Sequence, residues 1–123
     1  MRAVTSHEVN PCNEAISIVA DDLDLQNGHA SHDYRLSIKH ADYVTVLPPV
    51  VFQRGPIKEV GVNGVTHEVL LAILIDRLRG FQQGPYACDE NHRALIALMD
   101  AREALFSRTT ARVARGVEGT NEK

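Results

Sequence analysis

A chain of 123 residues with 44% hydrophobic residues, 5% aromatics and no Trp has room for one modest core, a size at which partner chains often bury what a monomer cannot. Its formal net charge of −3 excludes a protein that coats long nucleic acids through a broad basic surface, but not a compact anion site. No apolar run approaches the roughly 18 residues that span a bilayer, and Met1 to Asn10 lacks the apolar run and cleavage site of a signal peptide, so a cytosolic location is expected.

In chain order, the front half reads as short strands: Ala15 to Ala20, His32 to Ile38 with partial alternation, and the β-branched stretch Tyr43 to Phe52. Cys12, ahead of them, and Cys88, far behind, fit neither a metal nor a redox spacing and read as two free thiols in a reducing compartment. Pro48 and Pro49 remove ladder donors, so the last stretch is expected to be an edge strand or two pieces joined by a bend. Asn27-Gly28 and Asn63-Gly64 are turn candidates because both residue types tolerate positive φ. Gln53 to Pro56 is a further turn that holds Arg54 away from the sheet.

From Thr66 the period becomes helical. Thr66 caps the start, Glu68 complements the dipole, and Leu70, Leu71, Leu74, Leu78 and Phe81 recur at helical spacing, which predicts a helix from about His67 to Gln82. Gly84-Pro85 stops it. Asp89 is read as the N-cap of a second helix carrying Leu95, Leu98, Leu105 and Val113, with Gly116 as its stop. A connection of about seven residues makes the two helices antiparallel. The expected fold is therefore α+β over one domain, 1–123: an N-terminal antiparallel β-sheet (about 12–64), an antiparallel helical hairpin (about 66–115) and a polar tail (116–123) that frays unless a partner holds it.

Charge is unevenly placed. Asp21, Asp22 and Asp24 cluster at the front, whereas Arg102, Arg108, Arg112 and Arg115 gather at the back. Residues 108, 112 and 115 share one helical face, and three planar guanidinium groups suit phosphate oxygens. The alternative is that these cations merely complement the helix C-terminus. Phe81 and Asn91 flank the hairpin turn; a ring stacks on a base, and an amide both donates and accepts. Against this, Phe81 also continues the apolar stripe, and Asn91 could serve as a cap. Asn91 and Arg112 lie 21 positions apart on one helix, about 31 Å, too far for one small ligand within a protomer. If both bind, they line separate sites or a site completed by a neighbouring chain.

Enzyme signatures fail in turn. His67-Glu68 lacks the second histidine of a zinc-protease helix, because position 71 is Leu. His29 and His32 have no convincing third metal ligand. No phosphate-binding glycine loop, nucleophile elbow or deaminase cysteine pair occurs. No catalytic residue, metal or cofactor is assigned, and binding is favoured over catalysis.

Six stretches together carry a resemblance: Asn27-Gly-His-Ala-Ser-His32, Phe52-Gln-Arg-Gly-Pro-Ile57, Glu59-Val-Gly-Val-Asn-Gly64, Ile75-Asp-Arg-Leu78, Cys88-Asp-Glu-Asn91 and Arg115-Gly-Val-Glu-Gly-Thr120. Over roughly Asn27 to Thr120 the sequence resembles the phage Thoeris anti-defence sponge family, and its back half resembles the hairpin shared with anti-CBASS sponges. The resemblance implies a homo-oligomer, dimer or hexamer, that sequesters cyclic ADP-ribose isomers in the host cytoplasm without cleaving them. Phe81 and Asn91 match positions that contact the cyclic ADP-ribose product, Arg108 and Arg112 match phosphate-contacting positions, and Arg54 matches a basic residue used for cyclic trinucleotides. Cyclic trinucleotides or dinucleotides are thus further ligands it implies. His67 departs from the small polar or amide residue of the pattern, which leaves isomer preference open. The competing readings are a phage structural or adaptor protein that oligomerises through its hairpin, marked by apolar packing around Phe81 and tail arginines paired with Glu118 or Glu103, and a small nucleotide phosphodiesterase, which needs a metal or general base near the arginines that the sequence does not clearly offer.

Overall fold

Strand formation in the front half follows the alternation of Ile16, Ile18 and Ala20 with Tyr34, Leu36 and Ile38. In the computed structural model, which describes residues 1–122, these pair as β2 (Ile16–Ala20) and β3 (Asp33–Lys39), antiparallel, with Ile16 opposite Ile38, Ile18 opposite Leu36 and Ala20 opposite Tyr34. Because side chains alternate between faces, all six lie on one face, which Val4 of β1 (Arg2–Val4) joins opposite Ile18. Ala20 is fully buried, and Phe52 meets Tyr34 edge-on, with ring centroids 5.6 Å apart. β1 was not anticipated, nor was the short helix α1 (Pro11–Glu14), capped by the Asn10 side chain on the Asn13 amide.

The other edge of β3 carries β4 (Val44–Val46) and β5 (Val50–Val51), two pieces joined by a bend, as the two prolines require. Ser37 faces Val46 and Tyr34 faces Val50, so three steps on β3 match four on the partner. The extra residue is a bulge at Pro48-Pro49, where no ladder donor is lost.

The chain divides after Gly64 into two compact units, Met1–Gly64 and the segment from Val65 onward, at the boundary where the sequence period changes. Before it, the short helix α2 (Ile57–Val60) sits in a loop closed by side chains: Gln53 donates to the Gly55 and Gly61 carbonyls and accepts from the Asn63 amide, while Asn63 exchanges two hydrogen bonds with the Arg54 backbone. Gly64 does not have positive φ. It is required because a Cβ there would lie 2.4 Å from the Phe52 carbonyl carbon.

In the second unit, α3 (His67–Gln82) begins at Thr66, whose hydroxyl accepts from the Val69 amide, 3.3 Å. α4 (Asp89–Arg115) ends at Gly116 with φ +74°. Its N-cap is Cys88, one residue before the expected Asp89: the Cys88 Sγ accepts from the Asn91 amide at 3.4 Å, which leaves Asp89 and Glu90 in the first turn to complement the dipole. Ile75 is the buried centre of α3. On α4 the partly buried seam runs Asn91, Leu95, Leu98, Arg102, Leu105, Thr109 and Arg112, alternating four and three. Val113, expected on that stripe, is instead 60% exposed.

Candidate functional site

At the turn between α3 and α4 the side chain of Gln82 clamps the backbone of Cys88, donating to its carbonyl and accepting from its amide, both at 3.1 Å. That clamp holds the tight connection through Gly84-Pro85 and projects Tyr86 from it. Tyr86 meets Phe81 edge-on at 6.1 Å and 85°, and the guanidinium carbon of Arg77 lies 4.7 Å from the Phe81 ring centroid. Asn91 donates from Nδ2 to the Tyr86 carbonyl, 3.2 Å, which leaves its amide oxygen as an acceptor. Phe81 and Asn91 are each partly exposed, and Tyr86 is 72% exposed. The turn therefore presents an aromatic surface beside a cation and an amide, all within one protomer. Arg77 and Tyr86 were not singled out from sequence, although the i, i+4 spacing of Arg77 and Phe81 was there to be read.

At the far end of α4, Arg108 is exposed and makes no hydrogen bond or ion pair among the described residues. Arg112, one turn on, is buried. Its guanidinium donates to the Glu118 carboxylate at 3.3 Å and to the carbonyls of Val117, Thr120 and Glu122. Of the tail expected to fray, residues 117–122 fold back around Arg112, with the Val117 amide on the Arg112 carbonyl and Thr120 bonded to Val117, and Lys123 lies outside the described residues. A guanidinium offers a polar strip of backbone more donors than any other side chain, and this one spends four of its five on the tail.

Arg54 belongs to the first unit. Its Nη2 donates to Asp21 at 2.8 Å, and Asp24 lies 3.7 Å from Nη1. Burial raises the Asp21 carboxyl, but hydrogen bonds from the His32 and Asp33 backbone together with Arg54 bring it below its ordinary 3.8. Asp24 is held low first by the Asn27 side-chain bond, then, against the cost of burial, by the Gln26 amide and Arg54. Asn27 turns the chain here, with Gly28 at φ +94°. Both cysteines are exposed and unpaired thiols. Among the described residues no group of three or more His, Cys, Asp or Glu side chains could hold a metal ion, and no helix is long and apolar enough to cross a membrane.

Residues 48–110, from the bulge through most of α4, match the family model described as the Acb2/Tad1 hairpin domain. The chain is also 40% identical over 102 residues to a protein named Thoeris anti-defense 1 from Bacillus phage SBSphiJ7, a match that spans 83% of this chain and 70% of that relative. The chain belongs to the Acb2/Tad1 hairpin family. The match takes in all of α3 and α4 as far as Thr110, and four of the five candidate ligand residues sit on the hairpin: Phe81 and Asn91 at its turn, Arg108 and, just beyond the matched region, Arg112 toward the opposite end of α4.

Proposed function

We propose that this protein is a phage anti-defence sponge that binds cyclic ADP-ribose isomers in the bacterial cytoplasm and withholds them without cleavage. The observation that carries this reading is the layout of α4 in a chain 40% identical to a Thoeris anti-defence protein: a base-stacking turn at one end and guanidinium groups at the other. Phe81 stacks the base, Asn91 reads a polar edge, and Arg108 meets the phosphates, with Arg112 beside it. Seventeen positions separate Asn91 from Arg108, about 26 Å along the helix, so a single small ligand meets both only where a second copy brings its α4 alongside in the opposite sense. The pocket is thus an interface pocket, and the oligomer, a dimer or a hexamer, is part of the site. Arg54 is the candidate contact for cyclic trinucleotides or dinucleotides.

Sequestration requires affinity and stoichiometry but no nucleophile or general base. Mixed with excess protein, a cyclic ADP-ribose isomer should vanish from the filtrate and return intact after heat denaturation. Linear product in amounts exceeding the protein sites would overturn the reading. One observation favours a second reading: the pairing of Arg112 with Glu118 is the feature expected of a structural or adaptor protein whose arginines serve the tail. Calorimetric titration with the isomers separates the two, because a scaffold gives no heat of binding.

A further inference from the structure

Arg77 stands at the hairpin turn, where the sequence reading placed no cation. Its guanidinium lies over one face of the Phe81 ring, 4.7 Å from the centroid, while Tyr86 approaches the ring edge at 85°. Arg77 is exposed, and among the described residues it enters no ion pair. A guanidinium stacked on a ring keeps its in-plane N–H groups free, so it retains its capacity to donate toward a ligand beside that ring. Arg77 and Tyr86 thus fix the Phe81 ring from one face and one edge, and the ring stays partly exposed at the turn, where a base can reach it.

We propose that Arg77 is a ligand-contacting residue of the same pocket, holding Phe81 in its stacking orientation and donating to a phosphate of the purine nucleotide whose base stacks on that ring. This deepens the proposed function and rests on it. It assigns the turn its own phosphate donor, so base and proximal phosphate are engaged by one protomer while Arg108 of a second copy serves the distal phosphate.

The test is calorimetric titration of cyclic ADP-ribose isomers into the wild-type chain, Arg77→Ala and Arg77→Lys, each at low and high salt. Arg77→Ala should weaken binding about tenfold and flatten its salt dependence, because a charged contact is gone. Arg77→Lys should recover the salt dependence without the full affinity, since lysine keeps the charge and loses the planar stack. Melting temperatures of all three should agree, the side chain being exposed. Wild-type affinity and salt dependence in Arg77→Ala would overturn this inference while leaving the sponge reading in place. Failure of the wild-type chain to bind any isomer would overturn the sponge reading itself.

Discussion

Gly64 and Gly28 are both glycines for backbone reasons, yet the reasons differ and so do the expected costs. At Gly64 a methyl group would meet the backbone of Phe52 and Gln53 at 2.4 to 2.7 Å, and backbone cannot swing aside. Gly64→Ala should therefore lower unfolding free energy by about 2–3 kcal/mol in a denaturant titration. Gly28 has open space around it but φ +94°, so Gly28→Ala should cost only about 1 kcal/mol. Asp21 and Asp24 supply a pH dependence of definite sign. Both carboxyls are lowered by folding, so their stabilising contribution is complete above the ordinary value of 3.8 and is lost as pH falls through the lowered, folded-state values. Urea midpoints should drop in that acid range, and the drop should be smaller in the Asp21→Asn, Asp24→Asn double variant.

Within its own unit the hairpin is thinly packed. Ile75, 2% exposed, is the one fully buried large side chain among the described residues, so Ile75→Ala should destabilise by about 2–4 kcal/mol by the same titration. The tail behaves as an element because of one side chain. Arg112→Ala removes four donors at once, and hydrogen exchange should show the amides of Val117 and Thr120 losing protection while those in the middle of α4 keep theirs. The same variant should also weaken isomer binding about tenfold or more. Exchange loss with unchanged affinity would make Arg112 a residue of the tail alone and leave Arg108 as the phosphate contact.

For the whole molecule the decisive quantity is apolar surface left uncovered. Val69, Ile73 and Leu74 on α3, Phe106 and Val113 on α4, and Tyr43, Val44 and Val46 at the sheet edge are all between 45% and 80% exposed. α4, at 27 residues, is about 40 Å long against about 24 Å for the 16 residues of α3. The last turns of α4 thus extend beyond the length its hairpin partner can cover, the tail covers only the face that carries Arg112, and the proposed oligomer would cover the rest with a second copy. Light scattering at micromolar concentration should give a dimer or a larger assembly. A monomer of 13.6 kDa would remove the interface pocket, because Asn91 and Arg108 then have no means of meeting on one ligand.

Local chemistry made much of this legible from the letters. Thr66, Gly84-Pro85 and Gly116 bound the helices because capping, missing donors and left-handed φ act within a few residues, and the alternation of Ile16 to Ala20 named a strand for the same reason. Pro48-Pro49 announced a broken edge, and its bulge followed from donors those residues cannot supply. Contacts between distant residues were not legible. The Gln82 clamp on Cys88 displaced the expected cap at Asp89 by one residue, and at Asn63-Gly64 the chain bends as expected, but the glycine is needed for its close approach to Phe52 and not for a positive φ. Arg112 looked like an exposed member of a three-arginine stripe; only folding revealed that the carbonyls of Val117, Thr120 and Glu122 converge on it. Spacing along a helix reports which face a side chain shares, but its partners come from chain that returns from elsewhere, and that return is decided by tertiary packing.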